Sequence, residues 1–406
     1  MVKLAVIALS LLVPYKLDQS PAVVPTLLFE LGTGSRGDAD VFVQVRNVHL
    51  AADSSLWVVD DVGPNRAELR RFGARGEPLG TVARPGQGPG ELRGVAGITS
   101  LPDGRVLVWD ETQRRISVYQ AAGRYDTTWL LPPEVRGAVG GNGLTADERS
   151  MVWVRTPLVS SRRGLHPSTG RAVWVRLDRT GRVVDTIVGP VPPSLPGDPR
   201  VAPVIRYLDP RSGALVSGRL IPRYAAQPGV LVSPAGHVLA WRGDQNRIQR
   251  WNLTSVSTAF TDLHREPARE LTRSVPAVPI SPEERDEIRT ELMAHAKTPG
   301  STVSASIPTV PSVKPLIRDV VASQSGAVAV LRSQESQRIT PVEGSGRRFV
   351  ERGLLFDLLE VDGRYRGTIR LPEASRLVAV RGNLLVALKR GADGEVLLQV
   401  FRIPRS

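Results

Sequence analysis

The chain has 406 residues, 41% hydrophobic and 23% charged, enough apolar material for a sizeable core and too much for intrinsic disorder. Glycine (38) and proline (33) are too frequent for a helical protein and suit many short strands joined by turns. The absence of cysteine excludes disulfides, thiolate metal sites and lipid attachment through an N-terminal Cys.

The net charge of +13 invites a nucleic-acid or anionic-lipid reading, but its distribution argues against both. Lysine occurs only at Lys3, Lys16, Lys297, Lys314 and Lys389, and the arginines are spread along the chain. The longest basic runs are pairs such as Arg162-Arg163 and Arg347-Arg348, short of a basic stripe. Coding bias in a GC-rich genome would give the same excess. Aromatics are only 5%, and Trp57, Trp153 and Trp174 sit in apolar strand patterns rather than on a basic face. Nucleic acid is therefore disfavoured as a partner.

In chain order, the first element is Lys3 followed by the apolar run Leu4 to Val13 and then Ser20-Pro21-Ala22. One cation, a short apolar run and a small-x-small site read as a secretory signal over residues 1–22. The mature chain, 23–406, is then periplasmic or secreted. The run is too short to span a bilayer, so no transmembrane helix is expected. Gly32-Thr33-Gly34-Ser35-Arg36-Gly37 has the G-x-G-x-x-G spacing, but Val41 to Val45 reads as strand. A dinucleotide site needs a helix there to hold the pyrophosphate, so the match reads as a loop and no cofactor is expected.

From Asp53 onward the chain repeats itself. Leu101-Pro102-Asp103-Gly104-Arg105 followed by Val106-Leu107-Val108-Trp109 returns as Ser233-Pro234-Ala235-Gly236-His237 followed by Val238-Leu239-Ala240-Trp241. Related segments begin at Asp53, Asp147, Ser325 and Gly382, which makes six copies of a turn followed by a nearly continuous apolar strand. Such continuity means burial on both faces. Further hairpins turn at Ala122-Gly123-Arg124, at Arg179 to Arg182 and at Asp362-Gly363-Arg364, where glycine supplies the positive φ of a tight turn. The shift of 132 residues between the two closest copies reads as three units of 44, a propeller-blade period. It places Trp109 and Trp241 half a ring apart, both as wedges between blades.

The predicted fold class is therefore all-β: a six-bladed β-propeller with its N-terminal strand closing the last blade and one helical insertion. Closure follows from counting strands. The last unit offers only Leu377 to Val380, Leu384 to Leu388 and Val396 to Ile403, while Pro25 to Leu31 belongs to no other unit. Pairing them removes an exposed edge. The helix is signalled by Ser281-Pro282-Glu283-Glu284, an N-cap with a capping box, and by Ile288, Leu292 and Ala296 before Pro299-Gly300. It spans about 281–297 inside an insertion at 261–315, between blades four and five, either over the channel mouth or clamped along the rim.

The run Gly86-Gln87-Gly88-Pro89-Gly90-Glu91-Leu92, with Gly97-Ile98 and Pro102 to Asp110, resembles the bacterial six-bladed propellers related to NHL repeats. In those proteins a Gly-x-Gly-Pro-Gly-Glu-Phe loop joins one blade to the next; here Leu92 stands where Phe is usual. The charged helix after blade four is also similar to theirs. The resemblance is sharp over residues 40–130 and pattern-level to about 404. It implies the propeller fold and a bacterial envelope setting, and it carries no catalytic residues.

Chemistry-bearing motifs are sparse. HExxH and G-x-S-x-G are absent, and His49, His166, His237, His264 and His295 fall in different units or in the insertion. The ends of the repeated apolar strands, read as the inner strands of the blades, offer Asp60, Asp110, Arg155, Arg242, Arg332 and Lys389 as a mixed ring at the channel mouth. Two carboxylates with no matched His or Asn make a poor metal set, so neither a metal nor a catalytic residue is assigned. Four cations converging on one mouth suit an anionic ligand or an acidic segment of another envelope protein. The expected function is a monomeric exported binding scaffold; the alternative is a hydrolase, lactonase or lyase working in the channel.

Overall fold

In a computed structural model the chain folds into six consecutive antiparallel sheets arranged as propeller blades. The structure describes residues 22–133, 135, 142–157, 172–178, 180–188, 204–208, 215–253, 261–262, 267–297, 302–303, 307–323, 325–340, 347–351, 353–372, 375–391 and 393–404. The expected signal segment lies outside the described residues except for Ala22.

From the inner strand outward, blade one is Val45–Leu50, Leu56–Gly63, Arg66–Phe72 and Pro78–Ala83. Blade two is Val95–Ser100, Val106–Asp110, Arg115–Tyr119 and Tyr125–Leu130. Blade three is Leu144–Ala146, Val152–Pro157, Ala172–Leu177 and Val183–Val188, with Thr261–Asp262 added in parallel outside. Blade four is Pro228–Ser233, His237–Arg242, Arg247–Asn252 and Arg269–Thr272. Blade five is Asp319–Ala322, Val328–Arg332, Leu354–Leu359 and Tyr365–Leu371. Blade six is Ser375–Arg381, Leu384–Arg390, Val396–Arg402 and, on the outside, the N-terminal strand Thr26–Leu31.

The N-terminal strand closes the ring as its lack of a unit implied. Leu27 stands opposite Phe401, Phe29 opposite Val400 and Leu31 opposite Leu398. Leu31 is fully buried in a cluster with Phe42 and Val48 of blade one and Val386 and Leu398 of blade six. Each such side chain contributes about 1.5–3 kcal/mol by leaving water. The second strand of every blade is sandwiched between its neighbours, which is why Leu56 to Val59 and Val106 to Trp109 are buried without alternation.

Inner and second strands are joined by one recurrent turn. In it Leu101 N donates to Arg105 O and Gly104 N to Leu101 O, and the same pair of bonds recurs at Ala51 to Ser55, Asp147 to Met151 and Ser323 to Ala327. Its fourth residue has a positive φ, held by Gly104 (86°) and Gly326 (84°) but by Ser54 (64°) and Ser150 (62°) in the other two copies. Side chains tie these turns down: Asp53 accepts from Ser55 N at 2.9 Å and Asp147 from Met151 N at 2.9 Å.

The units are less regular than the repeat implied. Trp109 lies in blade two and Trp241 in blade four, so the shift of 132 residues covers two blades, not three. The difference is the long connection between blades three and four, which carries its own pair, Val204–Leu208 with Leu215–Arg219. The other excursion also differs from expectation. The chain returns to blade four at Arg269–Thr272, so the segment that carries the helix begins after Thr272 rather than at 261.

That helix, Pro282–Ala296, starts at Ser281, whose Oγ accepts from Glu284 N at 3.1 Å. The Glu284 carboxylate does not turn back to complete the box; it accepts from Ser336 Oγ at 2.6 Å. Ile288 and Leu292 pack on Leu220 and Ile280. Glu287 accepts from Arg223 at 2.7 Å and from the Arg348 amide at 2.8 Å. Lys314, fully buried, donates to Gln334 O, Ser336 Oγ and Glu351 within 3.1 Å. Together these contacts bind the helix to the hairpin Ser336–Arg338 with Phe349–Glu351, which rises from blade five.

Candidate functional site

In this topology an inner strand begins, and the second strand beside it ends, on the same face of the ring. Val45 pairs with Asp60, Val95 with Asp110, Pro228 with Arg242 and Ser375 with Lys389. Arg155 N donates to Gly143 O, and Arg318 N to Leu331 O beside Arg332. The six sequence-selected residues, Asp60, Asp110, Arg155, Arg242, Arg332 and Lys389, therefore do occupy equivalent ends on one face. They sit one strand back from the channel, because the apolar strand of each repeat is the second strand and another strand lies inside it.

Three of the six, Asp60, Asp110 and Arg332, hold loops. Asp60 is fully buried and accepts from the amides of Val43 and Gln44, the latter at 2.7 Å, and from Arg70 at 3.0 Å. Asp110, equally buried, accepts from the amides of Arg93, Gly94 and Gln113 and from the Gln113 side chain. Arg332 does the converse in blade five, donating to Leu316 O at 3.1 Å and to Asp357 at 2.7 Å. Arg242 is paired with Asp244, two residues on, through two bonds of 3.0 and 2.7 Å. Lys389 stands opposite Ser375, half-exposed. The glycine loop between blades one and two is structural in the same way. Arg115 donates to the carbonyls of Gln87, Gly88 and Glu91, and Tyr119 to that of Gly90.

Arg155 is different, because it lines the central channel. A cavity of about 310 Å³ runs between the inner strands of all six blades. At the end where those strands begin, the wall carries Arg46, Arg155, Arg376 and Asp319, of which Arg155 and Arg376 act on the Asp319 carboxylate and Arg46 on Asp61. Among the described residues none of these three arginines forms an ion pair within 4 Å, and Arg155 Nε lacks a protein hydrogen-bond partner. Burial pushes the Arg155 guanidinium below its ordinary pKa, with Asp319 opposing. Burial likewise raises Asp319, against the Val320 amide and Arg155, Arg318 and Arg376.

Further along, the wall carries Asn47 and His49 of blade one, each at least nine-tenths buried. Among the described residues Asn47 Oδ1 and His49 Nε2 have no hydrogen-bond partner. Burial first, then the charge of Arg381, lowers His49 to a pKa of about 3, with Asp53 pulling the other way, so its ring is neutral. The opposite end of the channel is apolar, with Leu50, Ala322 and Val380.

A second cavity, about 740 Å³, lies on the face where the inner strands begin, between the helix, the segment Leu220 to Gln227 and the blade-five hairpin. Arg318 and Ser375 belong to its wall, and the next residues, Asp319 and Arg376, belong to the channel. The insertion thus builds a vestibule beside the mouth. Arg318 is tied there to Glu351.

Arg46, Asp319 and Arg376 were missed because they precede the strong apolar runs. The signal that finds them is a short, partly polar strand ahead of each Asp- or Gly-containing turn. Inner strands face a wet channel along one edge, so they tolerate Asn47, His49, Thr99 and Thr145. Among the described residues no group of three or more His, Asp or Glu side chains is placed to hold a metal ion. No helix among them is long and apolar enough to cross a membrane.

These features define a six-bladed β-propeller with a charged central channel. No protein-family model matches the sequence, and neither does any curated protein. Solved structures are similar at low identity. A candidate exported protein from Bacteroides fragilis is 11% identical, with 93% of this chain and 94% of that one covered and a TM-score of 0.47. A member of the DUF4221 family from Bacteroides vulgatus is 10% identical, with 93% and 97% covered and a TM-score of 0.47. A virginiamycin B lyase from Staphylococcus aureus is 11% identical, with 88% and 80% covered and a TM-score of 0.35.

Proposed function

We propose that this protein is an exported binding scaffold, without catalysis of its own, whose channel holds an anionic ligand. One observation carries the reading: Arg155, largely buried and with no ion pair among the described residues, lines one end of the channel together with Arg46, Arg376 and a single carboxylate, Asp319. The fold's other buried cations have closer partners. Arg332 is paired with Asp357, Lys314 with Glu351 and Arg70 with Asp60. A guanidinium held from water without an ion pair loses stability that a paired one recovers, and a carboxylate or phosphate ligand would recover it through two parallel hydrogen bonds. The partnerless atoms of Asn47 and His49 in the same cavity add polar groups for a ligand to meet.

The test is calorimetric titration of the purified chain with acetate, cyclohexanecarboxylate, citrate and inorganic phosphate at low salt. At least one should bind, more weakly as salt rises. An Arg155→Ala, Arg376→Ala double variant should lose at least tenfold in affinity while keeping its melting temperature. Binding that the double variant retains in full would defeat the reading.

A further inference from the structure

Trp241 belongs to the second strand of blade four, yet its indole lines the channel. The residue opposite it on the inner strand is Gly229. A Cβ added to Gly229 would lie 1.9 Å from Cζ2 of that indole, so the benzo edge of the ring occupies the space an inner-strand side chain would fill. Ile317 and Val320 pack in the same cluster as Trp241, which places the ring beside Asp319, at the arginine end of the channel. A second indole, Trp174, lines the cavity as well and is anchored by its Nε1 to Val230 O at 3.2 Å. The cation–π contacts seen elsewhere, such as Arg71 over Trp57 and Arg176 over Trp153, use other rings.

An indole in a channel can hold a cation, an alkyl chain or another ring. The local charge decides against a cation, since three arginines face one carboxylate there. Aliphatic side chains line the channel along its whole length, from Val320 and Leu377 beside the arginines to Ala322 and Val380 at the far end, whereas the Trp241 indole is placed at the arginine end alone. A flat ring bonded directly to an acid group satisfies both features at one level. We infer that the channel's ligand is an aromatic acid, its anionic group between Arg155 and Arg376 and its ring against Trp241. This rests on the anion-binding reading above and narrows it to a substrate class.

The experiment compares 2-naphthoate with cyclohexanecarboxylate and with neutral 2-naphthalenemethanol, by calorimetry on the full chain. The expected result is 2-naphthoate binding at least tenfold tighter than either, with Trp241→Leu removing its advantage over cyclohexanecarboxylate. Equal binding of the two acids would overturn the aromatic inference while the anion reading stands. Equal binding of the acid and the alcohol would sink the anion reading, and with it this one. No binding of either acid would also overturn both. Because the ligand comparison is made on the unaltered chain, it decides the matter even if Trp241→Leu folds poorly.

Discussion

One position in the blade repeat is used in opposite ways on the two sides of the ring. In blades one and two the second strand carries, opposite the start of the inner strand, a buried Asp that accepts from amides of the incoming loop, Asp60 from Gln44 N and Asp110 from Gly94 N, each sixteen residues back. In blade five the same position is Arg332, which donates to Leu316 O, also sixteen residues back. Either polarity ties the entering chain to the blade, because a peptide group offers both a donor and an acceptor. In blade three the position is Arg155, whose side chain forms no ion pair among the described residues and whose Nε finds no partner among them.

The largest expected effect breaks the structural side of that contrast. Asp110→Ala would leave the amides of Arg93, Gly94 and Gln113 without their acceptor in a buried loop. Each orphaned donor is worth about 1–3 kcal/mol, and partial hydration should bring the total to about 4 kcal/mol. Urea unfolding would measure it; a loss under about 1 kcal/mol would mean that the loop is held by something else. Arg332→Ala should come next, at about 2–3 kcal/mol, because Asp357 keeps a second partner in Arg273. A loss as large as that of Asp110→Ala would count against the Arg273 contact.

His49 supplies a pH test on the channel wall. Its folded pKa of about 3 lies below the unfolded value of 6.5, so below pH 6.5 the unfolded chain takes up a proton that the folded one refuses. The stability it contributes is complete above pH 6.5 and falls by about 1.4 kcal/mol per pH unit on acidification. A His49→Gln variant should show a flatter profile between pH 6.5 and 4.5. Identical slopes would mean the ring protonates freely in the folded state.

Much of the fold could be read in advance, and the reasons are local. Turns such as Leu101 to Arg105 announce themselves by glycine and Asp, and the second strands by unbroken apolarity. Closure by Thr26–Leu31 followed from counting strands. The channel was harder to read. Buried apolar runs suggest the centre of a structure, yet in a propeller the most apolar strand is the one packed between blades. The strand at the axis is partly polar, so Asn47, Asp319 and Arg376 look ordinary in sequence. Blade spacing misled for a related reason: long connections on one face, free to grow outside the core, stretch the interval between Trp109 and Trp241.

Arg155→Met sharpens the comparison from the functional side. A guanidinium that is largely buried with no ion pair close by is destabilising, so an apolar side chain of similar length should hold stability constant or raise it by about 1 kcal/mol. The same change in Arg332 should destabilise. A marked loss from Arg155→Met would show that the residue serves the loop after all.

The smallest effect belongs to Arg242, and it tells the channel from the mouth. Its guanidinium is committed to Asp244 within one turn, on a partly exposed edge. Surface pairs of this kind contribute about 0–1 kcal/mol, so Arg242→Ala should be nearly silent in stability. It should be equally silent in the titration with 2-naphthoate, since Arg242 does not line the cavity. A tenfold loss of affinity from Arg242→Ala, with Arg376→Ala unaffected, would move the ligand out of the channel and onto the ring of second-strand ends. That result would revive the wider mouth and make the arginines lining the channel incidental.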